Sequence, residues 1–468
     1  MKLCKINKEC VFIVILLILI VTGIVLNNPI NKNDEVTLLG ETIKMHNGLH
    51  IYKDINVLVT PLLFYIGLLI FKIFGANILI FRVYGIMIWV LLFYSIYTLL
   101  KNLKISRNII YISLGIVILY FKELMNVGAN YNLLAIAISI LGINYIISVQ
   151  KKNNIYYLIQ GFITLLIFMT KQNIGIYYFL TLAICEVIIE KNKIKTKFIN
   201  LILVSIPIIL GVVLYCVYLY IDGALYNFID YTFLGMKDFK QNLVLETNMY
   251  LLSLINIIPI VIMIIKKEKV DTNLKILFIF SIVMLFMIYP IVCVFHCKMA
   301  LIYSIICFIY IINLKFTVNK TLQYSLIIIS LIYFFITTIL NLQNWIFNSI
   351  KVGNDPYFGA VYSESIDKII NNVDNYIIYC DKKVVIVSPD ATFYNIRLNI
   401  NNGILDIPVK GNVGINGKEK IINEIKNTKD AKFLIMNRRY YQEYQEVYDY
   451  IRNNYKHTDN VGVFQVYE

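Results

Sequence analysis

The chain has 468 residues, of which 59% are hydrophobic and only 15% charged, with a net charge of +14. Soluble domains carry roughly 45–50% apolar and about 25% charged residues, so a soluble enzyme, a disordered chain and a fibrous protein are all excluded. The apolar residues gather in blocks, many of them long enough as helices to cross a ~30 Å hydrocarbon layer. The chain reads as a polytopic α-helical membrane protein.

In chain order the predicted spans are 11–26, 78–100, 109–121, 131–149, 155–170, 174–189, 198–221, 249–265, 276–295, 299–314 and 322–340. The first has a basic flank and no small-x-small cleavage site, so it reads as an uncleaved signal anchor. The apolar stretch 57–74 contains Pro61, Gly67 and Lys72 and is predicted to lie along the outer interface. Beyond Asn341 the pattern becomes that of an α/β unit. Strands are predicted at 384–388, 433–436 and 461–466, and helices near 361–379, 417–427 and 440–454. The run Gly411–Gly417 lacks GxGxxG and a Lys-Ser/Thr ending, so it reads as turn chemistry rather than a phosphate loop. Asp355–Gly359 reads as a linker turn. The expectation is about 11 transmembrane helices plus an interfacial helix in 1–340, and an extracytoplasmic α/β domain in 341–468.

Charge supports this division. The last 128 residues balance 15 basic against 15 acidic side chains, leaving the whole +14 in the first 340. There it sits in short loops between apolar runs, at Lys2/Lys5/Lys8, Lys101/Lys104/Arg107, Lys151/Lys152, Lys191–Lys197, Lys266–Lys275 and Lys315/Lys320. All six clusters fall on one side when 57–74 does not cross, which makes that side cytoplasmic, with the N-terminus there and the C-terminal domain outside. Charge placed this way sets topology and argues against a nucleic-acid partner. The eight cysteines are scattered and form no paired CxxC, so neither a zinc ribbon nor a disulfide framework is expected.

The same topology gathers polar residues on the outer face: Asp34, Glu35, Glu41, Lys53 and Asp54 in 27–56, and Glu123, Asn126 and Asn130 in 122–130. Lys171 and Gln172 follow in a tight turn, then Asp222, Asp230, Lys237, Asp238 and Lys240 in 222–247, then His296 and Lys298 in a turn at 296–298. Ionisable groups at the edge of a membrane bundle are costly, and function is their default explanation. A carboxylate can take a proton from an attacking hydroxyl, and cationic side chains can hold a phosphate while charge develops on it. The set suits transfer from a phosphate-bearing lipid. A coupled transporter would place such groups near the midplane on broken helices.

Asn33-Asp34-Glu35, Tyr52-Lys53-Asp54, Pro61-Leu62-Leu63-Phe64-Tyr65, Phe74-Gly75 and Arg82 together resemble the first outer loop of GT-C glycosyltransferases. The nearest kinds are the polyprenyl-phosphate-sugar enzymes: aminoarabinose transferases, protein O-mannosyltransferases and the RgtABCD-like bacterial group. Met169–Gly175 is similar to that superfamily's Thr-Lys-x-x-Gly turn, and Phe295–Lys298 to its late basic outer turn. The resemblance covers residues 1–340 and implies a polyprenyl-phosphate-sugar donor, a glycan, lipid or protein acceptor in the envelope, and transfer with inversion. It implies Asp34 as catalytic base with Glu35 beside it, and Lys171 on the donor phosphate. Arg82, Lys298, His296, Lys53, Asp54 and Glu123 are further substrate-binding candidates. The basic residue that precedes the proline in the family is Thr60 here, and Lys53 is its stand-in. Cofactors are left open, with a divalent metal ion as one option. The alternative from another class is an exporter of polysaccharide or lipid-linked intermediates, or another non-catalytic envelope protein.

Overall fold

A computed structural model describes residues 34–121, 128–239, 270–288, 294–315, 364–436 and 443–468. The predicted spans 11–26, 249–265 and 322–340 and the linker turn 355–359 lie outside these residues. In the helical part, α1 (Asp34–His46) and α2 (Leu62–Phe74) precede α3 (Ile78–Asn102), α4 (Arg107–Phe121), α5 (Tyr131–Ser148), α6 (Asn154–Thr170), α7 (Gln172–Ile188) and α8 (Ile194–Asp222). Then come the short α9 (Leu225–Ile229), a π-helical turn Asp230–Leu234, a 3₁₀ turn Gly235–Phe239, α10 (Thr272–Val283) with a 3₁₀ extension to Ile288, and α11 (Val294–Lys315). Asparagine and aspartate set several starts, because their side chains accept from otherwise unsatisfied first-turn N–H groups. Asn77 accepts from Ile80, Asn130 from Asn132 and Leu133, Asn153 from Tyr156 and Asp271 from Leu274.

Among the described residues, four helical segments are long and apolar enough to cross a membrane: 78–102, 131–148, 194–222 and 295–313. Helix α2 has 13 residues, about 20 Å at 1.5 Å per residue, short of a ~30 Å hydrocarbon layer. Helix α3 packs along α5, and α6 along α8.

Three expectations need correction. The first outer loop is not open chain, since α1 occupies 34–46 and ten of its 13 residues are buried. The region 222–247 is not a plain loop, since it coils into three short helical turns through Phe239. The basic turn at 296–298 is absent: α11 runs unbroken through His296 and Lys298. Residues 295–299 contain no Gly or Pro, and the helix breaker, Pro290, stands four residues before α11.

The C-terminal part contains α12 (Glu364–Tyr379), β1 (Lys383–Val387), α13 (Ala391–Asn395), α14 (Gly417–Asn427), β2 (Ala431–Met436), α15 (Gln445–Asn454), β3 (His457–Val461) and β4 (Phe464–Tyr467). The sheet order is β1-β2-β4-β3. β1 and β2 are parallel, with Val385 opposite Phe433. β4 is antiparallel to both β2 and β3. The single strand expected at 461–466 is instead a hairpin, because Gly462 takes φ +58° and the chain reverses there.

Side chains alternate across the sheet, and its two faces are covered differently. Val385, Val387, Phe433 and Ile435 pack on Ile421, Ile425 and Tyr448 from the domain's own helices. Val384, Ile386, Leu434 and Val466 join the core that runs through the helical part and contains Val36 and Leu39 of α1. The C-terminal domain therefore seats one of its two apolar faces on the membrane part.

Candidate functional site

Helix α1 opens with two carboxylates, a favourable placement at the positive end of the helix dipole. Their surroundings differ sharply. Glu35 is fully buried, and both of its oxygens are engaged by Arg82 of α3, with Nε donating to Oε1 at 2.7 Å and Nη2 to Oε2 at 2.9 Å. This is the planar two-point match that a guanidinium makes to a carboxylate. Asp34 keeps open surface. It stands deep enough in the fold for desolvation to raise its carboxyl above the usual aspartate range.

The Gly128–Asn132 segment links this pair to Lys171. A Cβ on Gly128 would lie 3.2 Å from Glu35 Oε1, and one on Gly85 of α3 would lie 2.5 Å from the Gly128 carbonyl carbon. Only glycines allow these backbones so close. Four residues on, Asn132 Oδ1 accepts a hydrogen bond from Lys171 Nζ. Lys171 also stands over the Tyr131 ring, 4.9 Å from its centroid. Four residues span at most roughly 14 Å, so the α1 carboxylates and Lys171 belong to one end of the bundle.

Lys171 is extended (φ −154°, ψ 115°) and serves as C-cap of α6 and N-cap of α7. Its turn is fixed from several sides. Thr60 Oγ1 donates to the Phe168 carbonyl at 2.6 Å. Gln172 Nε2 donates to the carbonyls of Leu58 (3.2 Å) and Thr232 (2.9 Å). Asn173 Nδ2 reaches the Met287 carbonyl at 3.4 Å. Thr60 thus fastens the first loop to the Lys171 turn. His296 and Lys298 stand half-buried near the start of α11.

Lys53 and Asp54 belong to the turn that follows α1. Tyr52 takes φ +67°, an uncommon conformation for an aromatic residue, and its hydroxyl donates to the Val59 carbonyl at 2.7 Å. In this tight turn Asp54 Oδ2 accepts from the His50 N–H at 2.8 Å. Asp222 at the end of α8 meets His50 Nδ1 at 2.6 Å and Lys53 Nζ at 3.7 Å. Both side chains of that cluster's bases are about half exposed. Glu123 lies outside the described residues.

Sequence reasoning missed Tyr131 and Asn132. Their signal was present: Asn130-Tyr131-Asn132 puts three polar groups at the head of an apolar run. It also missed how deeply Glu41 sinks. Burial pushes that carboxyl up to about 8, with Lys44 opposing the shift. Among the described residues no group of three acidic, His or Cys side chains gathers as for a metal.

Apolar helices long enough to cross a membrane, an α/β domain seated on them and buried charge at one end together make a polytopic membrane fold of the GT-C kind. Two solved structures share it over nearly the whole chain. ArnT from Cupriavidus metallidurans bound to undecaprenyl phosphate is similar at TM-score 0.55 and 8% identity, covering 99% of this chain and 98% of that one. The apo state of the same ArnT gives 0.58 and 9%, covering 98% and 97%. At the sequence level no protein-family model and no curated protein matches.

Proposed function

We propose that this chain is a membrane glycosyltransferase that moves one hexose or pentose from a polyprenyl-phosphate donor to an envelope acceptor. The observation that carries the reading is the whole-length likeness to ArnT, which was crystallised with undecaprenyl phosphate. The outer face as the site of reaction rests on the six basic clusters of the sequence.

In this reading the acceptor hydroxyl oxygen attacks the anomeric carbon from the side opposite the phosphate. The new C–O bond forms as the sugar–phosphate bond breaks, and the electron pair leaves with the polyprenyl phosphate. The hydroxyl proton passes to Asp34, whose raised carboxyl makes it a better acceptor than an ordinary aspartate. Glu35 has both oxygens held by Arg82, so its part is to fix α1 and aim Asp34. Lys171 binds the donor phosphate and stabilises the charge that it gains. Lys298 and His296 are proposed to line the same phosphate path, and Lys53 and Asp54 its rim. The test is turnover: purified protein in lipid nanodiscs is given polyprenyl-phosphate hexose and pentose donors with an envelope extract. Release of polyprenyl phosphate supports the reading. No release from any donor contradicts it.

A further inference from the structure

The Gly411–Gly417 run carries out a task that the sequence alone did not reveal. It closes around a carboxylate, and that carboxylate belongs to the membrane part. Asp230 is fully buried. Its Oδ1 accepts the Ile415 N–H at 2.9 Å, and its Oδ2 accepts from Lys420 Nζ, which also reaches the Val413 carbonyl at 3.2 Å. Gly414 has φ +78°, and a Cβ there would stand 2.0 Å from Asp230 Oδ2. The neighbouring backbones meet as closely, since a Cβ on Gly235 would lie 2.3 Å from the Gly411 carbonyl oxygen. This geometry suits a seat for one buried anion.

Asp230 opens the π-helical turn Asp230–Leu234, a rare geometry found frequently at functional sites. That turn touches the Lys171 turn twice. The Thr232 carbonyl accepts from Gln172, the neighbour of Lys171, at 2.9 Å. The Phe233 ring stacks on Phe168, with centroids 6.4 Å apart and planes 24° apart. Thr60 holds the Phe168 carbonyl from the other side. A continuous path of hydrogen bonds and packed rings thus runs from Lys420 through Asp230 and Thr232 to Gln172 and the Lys171 backbone.

We propose that Asp230 is a positioning residue: the C-terminal domain grips it through the 411–417 loop and Lys420, and so holds the Lys171 turn in its donor-binding shape. The proposal rests on the functional reading given above. It gives the C-terminal domain a part in donor binding, although that domain supplies no group to the donor. A grip on one side of a stiff turn changes the turn's affinity, whereas a merely structural role changes only how much protein folds.

The experiment titrates the purified full chain with undecaprenyl phosphate, recording both Kd and the number of sites filled, for wild type, Asp230→Asn, Lys420→Met and Lys420→Arg. Asp230→Asn and Lys420→Met are expected to weaken binding roughly tenfold at unchanged stoichiometry, in the usual range of coupling between sites. Lys420→Arg should recover most of the loss. Lys420 is partly exposed, so its variants keep the test open if Asp230→Asn fails to fold. Variants with Kd within about twofold of wild type, whether fully or only partly filled, overturn the positioning role but leave the functional reading intact. Wild-type protein that fails to bind undecaprenyl phosphate contradicts the functional reading itself, and the proposal falls with it.

Discussion

Helix α1 and the turn that follows it carry nearly the same mixture of acids and bases, yet the fold treats them in opposite ways. In α1, Glu35 is sealed against Arg82, Glu41 is buried, and Lys44 reaches Asp406 of the C-terminal domain, whose other oxygen accepts from Asn395 at 2.7 Å. In the turn, His50 and Lys53 stay half exposed beside Asp222, and Asp54 accepts a local backbone N–H, that of His50. Burying charge costs several kcal/mol per ion before pairing, while exposed pairs contribute about 0–1 kcal/mol. The difference shows where the fold holds its ionisable groups at high cost and where it merely solvates them. Sequence alone, which shows acids and bases in both segments, does not make that distinction.

The largest effect expected concerns the residue at the head of α1. Asp34→Asn keeps the side-chain shape and removes the proton acceptor. Loss of a positioned base costs 10²–10⁴-fold in general acid–base catalysis, so donor turnover should fall by about that factor while membrane insertion persists. Next comes the buried pair. Arg82→Met strips the buried Glu35 carboxylate of its guanidinium, which costs about 3–5 kcal/mol, and thermal unfolding in detergent should show it. Glu35→Gln, which keeps one neutral hydrogen-bonding side chain, should cost less than Arg82→Met.

Lys171→Ala removes a charge-assisted contact to the donor, about 1.5–3 kcal/mol, or roughly ten- to a hundredfold in affinity for undecaprenyl phosphate. Lys171→Arg should recover part, because charge survives and the compact ammonium does not. A residue that only anchors the helices to the interface predicts another order, with Arg equal to wild type and Ala lowering stability instead.

Glu41 gives a pH signature. Its folded carboxyl titrates near 8 against 4.5 for the ordinary group, so the folded state holds a proton that the unfolded chain has released. The stability that this group contributes should therefore be fully present below about pH 4.5 and decline as pH rises toward 8, levelling off beyond. Glu41→Gln should flatten that difference in a series of melting curves taken from pH 5 to 8.5. The smallest effect belongs to the exposed turn. Lys53→Met, at a half-exposed side chain of that turn, should change stability by less than about 1 kcal/mol, and a larger loss would erase the contrast between the two segments.

Much of the membrane part was legible. The predicted 78–100, 131–149, 155–170 and 198–221 meet observed helices at 78–102, 131–148, 154–170 and 194–222, because long apolar runs leave little choice, and Asn caps start the first three. The α/β succession of the C-terminal domain was legible for similar reasons. Contacts distant in sequence were not. Glu35 and Arg82 are 47 residues apart, and Asp230 and Lys420 are 190 apart. Nothing local in the Gly411–Gly417 run states that its anion is a carboxylate from another part of the chain. Turns within apolar stretches were also misread, since His296 and Lys298 are polar without breaking a helix. The partner of the second sheet face could not be read either, because alternation gives a buried face and does not say what covers it.

The proposed activity is transfer of a sugar to the envelope from a polyprenyl-phosphate donor, with Asp34 as the proposed base. Mass spectrometry of envelope glycans and lipids from a deletion strain, complemented with wild type or with Asp34→Asn, tests it most directly. The account predicts that the deletion lowers the mass of an envelope component by one sugar residue, that wild type restores it, and that Asp34→Asn does not. Identical spectra in the deletion strain and its parent, or full restoration by Asp34→Asn, would contradict the account.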